Sequence, residues 1–310
     1  MLANYARFSL ALEVLAYAAI AHWLHWLYGW AYAPLAAAAF GIAFLNRFLM
    51  VCITASVSRW VSGPLDPSQR MGWARGAAML FREAWAVCAA QLFQFPFHAW
   101  ALRRDPPLVA TDRLPVVLVH GYYSNRGYFR HMVRSLEARG AGPIFTPCFT
   151  SIFASIERFA AELHAEIERT CTATGAAQVA LVCHSMGGLA ARCYLARHGS
   201  ARVARLVTIA SPHQGTVLAH LGGGENGRQM RRASAFVEAL RDHEGERGAG
   251  CPTTSVYTPQ DNLVAPAQAS VLPWARNVAL PGFGHVEILR SAHLARLVEA
   301  ELRECGVAFR

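Results

Sequence analysis

The chain has 310 residues, enough for one large domain or two small ones with a sizeable core. It carries 29 basic residues, all arginine, against 20 acidic ones, for a formal net charge of +9. With no lysine present, a pyridoxal Schiff base, a P-loop lysine and a Ser-Lys dyad are all excluded. The arginines are scattered rather than gathered into a basic arm, which suits anionic lipid head groups and gives no ground for a nucleic-acid partner.

Hydrophobic residues make up 54% of the chain and the mean hydropathy is +0.23, an excess that needs a location. Residues 1–58 supply it, because up to Val57 the only charges are Arg7, Glu13 and Arg47. Phe8 to Leu27 matches the roughly twenty residues that span a bilayer, and Ala31 to Val57 is longer still. Between them His22, Trp23, His25, Trp26, Tyr28, Gly29, Trp30, Tyr32 and Pro34 form an interfacial aromatic cluster around a turn. The expectation is a hairpin of two membrane helices. Glu13 and Arg47 would each cost about 2.5 to 3.5 kcal/mol at a helix centre, and less when paired or snorkelling. A signal peptide is the rival reading, with Phe8 to Ala21 as its apolar core and Ala31-Tyr32-Ala33 as a cleavage site; Pro34 opposes cleavage there. Arg7, Arg47, Arg59, Arg70 and Arg75 flank the hairpin, so the positive-inside rule predicts a membrane protein with the rest of the chain in the cytoplasm.

Residues 59–113 form a connector with turn signals at Gly63-Pro64, Asp66-Pro67 and Asp105-Pro106-Pro107. Its apolar stretch Met71 to Trp100, which holds Arg75, Arg82 and Glu83, fits a helix on the membrane surface and fits an ordinary packing helix equally. From residue 114 to residue 310 the pattern changes. Val116–Val119, Pro143–Phe149, Gln178–Cys183, Arg205–Ile209, Ser255–Tyr257 and Arg276–Leu280 read as strands. Gly127–Arg139, Ile152–Cys171, Met186–His198 and His293–Cys305 read as helices. That alternation predicts an α/β domain, a mainly parallel sheet with helices on both faces. Residues 213–250 interrupt it as an insertion, with a helix over Arg228–Leu240, and suggest a cap or lid hinged on the glycines of 222–227. Those glycines also satisfy G-x-G-x-x-G, but no strand precedes them and no βαβ unit follows, so no nucleotide is expected.

The chemistry gathers beyond the strand ends. In VALVCHSMGG, Ser185 sits where a strand turns sharply into a helix, the geometry that lifts a nucleophilic hydroxyl out of a sheet. Gly187 provides one of the two small neighbours such an elbow needs; Cys183 stands where the other is usually glycine. Cys183 and His184 point to opposite faces of a strand and cannot easily share a proton, which argues against a Cys-His nucleophile. Six histidines follow Ser185, and Asp242 and Asp261 are the aspartates that do. Asp242 lies in a charged run that reads as a solvated helix end. Asp261 follows a strand, and His285 follows another within LPGFGHVEIL, so the order serine, acid, histidine selects Ser185, Asp261 and His285 as a triad. The backbone N–H groups of Tyr122, in VVLVHGYYSN, and of Met186 are the candidate oxyanion donors. His120 reads as a loop-ordering residue, and Ser211-Pro212-His213 as a structural corner. The eight cysteines form no C-x-x-C pair, and no metal, and no cofactor, is expected.

VVLVHGYYSN, VALVCHSMGGLAARCYL, LVTIASPHQGT, the Asp261-Asn-Leu-Val264 turn and GFGH together resemble bacterial lipases and esterases of the α/β-hydrolase superfamily, over roughly residues 114 to 304. The resemblance implies a serine hydrolase that cleaves carboxylic esters of lipids, with Ser185, Asp261 and His285 as triad and Tyr122 and Met186 as oxyanion donors. Cys183 departs from the family's pattern, and no aspartate arrangement like that of the calcium-binding lipases is present. The alternatives are an acyltransferase or thioesterase with the same triad, or a catalytically silent membrane protein that uses the fold for binding.

Overall fold

A computed structural model describes residues 2–102, 105–150 and 152–309; Met1, Arg103, Arg104, Ser151 and Arg310, which fall inside the segments assigned above, lie outside the described residues. Two helices come first, α1 (Leu2–Tyr28) and α2 (Tyr32–Ser62), both long and apolar enough to cross a membrane. Glu13 and Arg47, the charges nearest the middle of each helix, lie equally far from the connecting turn and meet in a two-pronged ion pair of 2.9 and 2.8 Å. Each charge therefore has its partner inside the hairpin. Most side chains of α1 and many of α2 are exposed, Phe8, Leu15, Phe40 and Ile53 among them.

The two free ends of the hairpin rest on the remainder of the molecule. Leu2 is buried against Ala90 and Phe95, and the Arg7 guanidinium donates to the Pro96 carbonyl at 2.8 Å. At the other end Val51, Thr54 and Ser58 form a buried stripe at the three-to-four residue spacing of one helix face. A 31-residue helix is about 46 Å long, which exceeds the roughly 30 Å of a bilayer core.

The apolar stretch after the hairpin is not one helix. Helix α3 (Trp73–Ala89) widens into a π turn at Ala90–Gln94 and gives way to a short helix α4 (His98–Ala101). Pro96 has no N–H to continue the ladder, which accounts for the break. Helix α3 packs on α2 through Phe81 and Trp85 against Phe44, while Glu83 and Ala84 on its other side are buried.

Six strands form one parallel sheet: β1 (Val116–Val119), β2 (Ile144–Phe145), β3 (Val179–His184), β4 (Val203–Ile209), β5 (Thr253–Tyr257) and β6 (Arg276–Ala279), in the order β2-β1-β3-β4-β5-β6. Side chains alternate between two cores. On one face Val117, Val119, Leu181 and Cys183 meet α6 (Ile156–Thr174), α7 (Met186–His198) and α9 (Ala235–Glu244). On the other Val116, Leu118, Ala180 and Val182 meet α5 (Arg130–Ala138) and α10 (Ala292–Glu304). The layering is the one the α/β alternation predicts.

Several boundaries differ from the sequence reading. The strand expected over Pro143–Phe149 shrinks to two residues, because the Thr146 N–H donates to the Asp105 carboxylate, Pro147 has none, and the Phe149 N–H donates to His120. The helix expected from Gly127 begins as a 3-10 turn, Arg126–Phe129, capped by Asn125. The helix expected from Ile152 starts four residues later, where Ser155 caps the Arg158 N–H. The helix expected over Arg228–Leu240 is two helices, α8 (Gly224–Gln229) and α9. Ala233 in a left-handed conformation and the Ser234 cap on Val237 separate them.

Candidate active site

In-register pairing of Val119 with Cys183, and of His184 with Ile209, brings the C-terminal ends of β1, β3 and β4 level. Ser185 follows β3 and precedes α7, with φ 55° and ψ −128°. A non-glycine residue held there costs on the order of 1–3 kcal/mol, so its surroundings must over-determine it. They do: the Ser185 N–H donates to the Ile209 carbonyl at 2.9 Å, and its carbonyl accepts from Gly188 at 3.0 Å. Gly187 has no room for a side chain, since a Cβ would lie 2.5 Å from the Val119 carbonyl oxygen. Cys183 needs no special backbone. It belongs to the regular ladder between Val119 and Thr208, and its thiol is buried in the core facing α6 and α7. Burial pushes that thiol well up from its ordinary range, so it is an inert apolar filler.

Asp261 and His285 meet behind this elbow. The His285 Nδ1–H donates to Asp261 at 3.0 Å to Oδ2 and 3.1 Å to Oδ1. Asp261 is fixed in turn by the N–H groups of Leu263 and Val264, at 2.8 and 2.7 Å from Oδ1. The neighbouring Asn262 accepts the His285 N–H at 2.9 Å, and Thr258 donates to the Phe283 carbonyl at 2.7 Å, which ties the two loops together. Burial lowers the basicity of His285, but the Asp261 carboxylate and the more distant Glu83 outweigh it, and its pKa stands above the ordinary 6.5. His184 lies beneath His285, ring centroids 4.8 Å apart, and its Nε2–H donates to the His285 carbonyl at 3.1 Å. Burial, and then the neighbouring His285, holds His184 neutral.

Ser185 and His285 both line a cavity of about 550 Å³, whose walls include Tyr122, Leu218, Leu263 and, from α2, Met50. Gly121 packs onto the elbow so closely that a Cβ would stand 2.8 Å from Ser185 Cβ and 3.1 Å from the Met186 nitrogen. Tyr122 thus follows the one residue small enough to touch the elbow. Met186 opens α7, where a helix supplies no internal partner for its N–H and the helix dipole is positive. His120 orders this loop: Nε2 accepts from the Phe149 N–H at 3.2 Å and Nδ1–H donates to the Gly121 carbonyl at 3.1 Å. Burial brings its pKa down to about 4. His213 is turned away, bonded to Thr208 at 2.9 Å, and Asp242 is exposed on α9. Among the described residues no group of three or more His, Cys, Asp and Glu side chains could hold a metal ion.

Ser58, Thr54 and Glu83, all upstream of the sheet, escaped the sequence reading. Ser58 donates its hydroxyl to the Asp261 carbonyl, and Thr54 accepts from Asn262 at 3.4 Å. Glu83 accepts main-chain N–H groups next to His285. No motif marks the first two; a single carboxylate in the apolar stretch Met71–Trp100 was a usable signal for the third.

A parallel sheet covered by helices on both faces, with a serine on a strained strand-to-helix turn at its carboxyl end, is the architecture of the α/β-hydrolase fold. Comparison with known proteins is specific on this point. A family described as palmitoyl protein thioesterase matches residues 115–242. A triacylglycerol lipase of Vibrio cholerae is 34% identical over 117 residues, 36% of this chain and 36% of that protein, so the match spans about a third of the relative's length. Among solved structures, the mature lipase of Bacillus licheniformis shares the fold with a TM-score of 0.54 at 17% identity, over 67% of this chain and 96% of that one. Lipase B of Aspergillus fumigatus gives 0.54 at 19% identity, over 63% and 53%. The chain therefore has the α/β-hydrolase fold, and part of it is similar in sequence to a thioesterase family and to a lipase.

Proposed function

We propose that this protein is a membrane-anchored serine hydrolase that cleaves acyl esters of lipids through Ser185, His285 and Asp261. The observation that carries the reading is the Asp261–His285 hydrogen bond combined with the opening of Ser185 and His285 into one cavity. His285 takes the Ser185 proton as the hydroxyl oxygen attacks the ester carbonyl, while Asp261 holds the tautomer and stabilises the imidazolium. The N–H groups of Met186 and Tyr122 receive the oxyanion. Collapse expels the alcohol, protonated by His285, and leaves an acyl-enzyme on Ser185. Water activated by His285 then releases the fatty acid.

Membrane attachment is supported by the exposed apolar surface of α1 and α2, by the internal pairing of Glu13 with Arg47, and by Trp60, Trp73 and Trp100, each more than 80% exposed. Tryptophans in that setting belong at a membrane interface. The flanking arginines favour the cytoplasmic face, and a reporter fused to the C-terminus, read on both sides of the membrane, tests that. The match to the palmitoyl protein thioesterase family favours one second reading, in which the same residues cleave acyl thioesters.

A fluorophosphonate probe tests the mechanism. Labelling at Ser185 that disappears in Ser185→Ala supports it; an unlabelled native protein refutes it. A long-chain acyl ester and its thioester of equal chain length, compared by kcat/KM, then decide between the two readings.

A further inference from the structure

Glu83 lies on α3, in the part of the chain outside the sheet, yet it is fully buried. Its carboxylate accepts the Val286 N–H at 3.0 and 3.1 Å and the Glu287 N–H at 2.7 Å, immediately after His285. On the other side of His285, Gly284 comes so near that a Cβ would lie 2.4 Å from the Glu83 carboxyl carbon. The preceding helix residue reaches the same loop from outside. Arg82 pairs with Glu287 and donates to the Gly282 carbonyl at 2.9 Å. One turn of α3 therefore holds both flanks of the His285 loop, while Asn262 and Thr258 hold it from the sheet side.

Two main-chain N–H groups could be satisfied by a neutral acceptor at far smaller desolvation cost than a carboxylate exacts. The choice of a carboxyl calls for a reason, and what faces it supplies one. His285 and Asp261 lie within electrostatic reach of Glu83, as does Tyr128 from the segment before α5; His184 faces His285 from β3. A negative charge here acts on the imidazolium that forms during proton transfer, from a different element than Asp261 does. Burial lifts the Glu83 carboxyl to about 7, so it is largely ionised above neutral pH.

We propose that Glu83 is a positioning residue for His285, fixing the backbone on both sides of the imidazole and adding a second negative charge beside its protonated form. The inference rests on the serine-hydrolase reading given above. It makes α3 part of the active site rather than a tether.

The test uses the full-length protein in detergent micelles, with Glu83→Gln and Glu83→Asp. Carbon-13-labelled histidine, with the His285 resonance assigned by its loss in His285→Asn, gives the His285 titration midpoint by NMR. The pH dependence of fluorophosphonate labelling gives the rate. Glu83→Gln keeps the volume and loses the charge, and its His285 midpoint is expected to fall by about one pH unit. Labelling at neutral pH is expected to slow roughly tenfold. Glu83→Asp keeps the charge but is one methylene short, so its midpoint stays near the native value while labelling slows. A folded Glu83→Gln with the native midpoint and the native rate overturns the proposal. If Glu83→Gln does not fold, Glu83→Asp decides: a native labelling rate there shows that reach to the two N–H groups is immaterial, and overturns it too. A native protein that does not label at Ser185 defeats the hydrolase reading instead, and the NMR midpoints still judge Glu83.

Discussion

Ser58, on the last turns of a helix long enough to cross a membrane, donates its hydroxyl to the main-chain carbonyl of Asp261, 203 residues further along the chain. The contact is buried and sits at the root of the loop that carries Asp261. Ser58→Ala leaves that carbonyl without this donor, and a loss of about 1–2 kcal/mol is expected. Denaturant unfolding in detergent, alongside the labelling rate of the folded fraction, measures it. An unchanged stability means that α2 does not brace the acid loop.

At the elbow, Gly187→Ala places a methyl 2.5 Å from the Val119 carbonyl oxygen, a backbone atom that cannot swing aside. Overpacking of this kind costs about 1–3 kcal/mol and shifts the strand–helix junction. The variant is expected to label at Ser185 far more slowly even at temperatures where circular dichroism reports it folded.

The pH dependence follows from His285. Its pKa is raised above 6.5 because Asp261 and Glu83 together outweigh burial, and the proposed mechanism needs it neutral. The acid limb of kcat/KM for the free enzyme is therefore expected above pH 6.5. Asp261→Asn removes the main raising influence, so the limb moves to lower pH while the rate falls by about ten-thousand-fold. The same raised value favours folding of the protonated form: that contribution is complete below the unfolded value and is lost as pH climbs through the folded one. A limb that stays in place in Asp261→Asn contradicts the assignment of the acid.

Tyr122 offers a handle on the glycine-rich segment. Its hydroxyl donates to the Gly223 carbonyl and accepts the Gly223 N–H, both at 3.0 Å, which ties Gly223 to a cavity wall that Tyr122 and Gly222 share. If these glycines hinge a lid, Tyr122→Phe and deletion of Gly222 to Gly227 both change the ratio of rates on aggregated and dissolved esters. Identical ratios in all three proteins dispose of the lid.

The centre of the sheet was legible because β1, β3 and β4 are nearly continuous apolar runs. The error at β2 has a local cause, since Thr146 and Phe149 commit their N–H groups to side chains far away in sequence. The break after α8 hinges on Ala233, whose left-handed backbone no residue preference announces. Ser185, Asp261 and His285 could be picked out because each stands beside glycines or a turn at a strand end. Glu83 left one trace, as the single carboxylate of its apolar stretch, but Ser58 left none, because it acts on a main-chain carbonyl some two hundred positions away. A bond to a carbonyl or an N–H leaves no imprint on the identity of the residue that owns it.

The bracing from α2 and α3 bears on how this protein can be handled. A recombinant core cut at residue 114 would look complete by its motifs, since all of them lie downstream. The same cut would open the Asp261 carbonyl and the amides of Val286 and Glu287 to water, and strip Met50 and Phe95 from the cavity wall. Grafting this sheet onto a soluble scaffold therefore calls for a replacement wedge rather than a clean end.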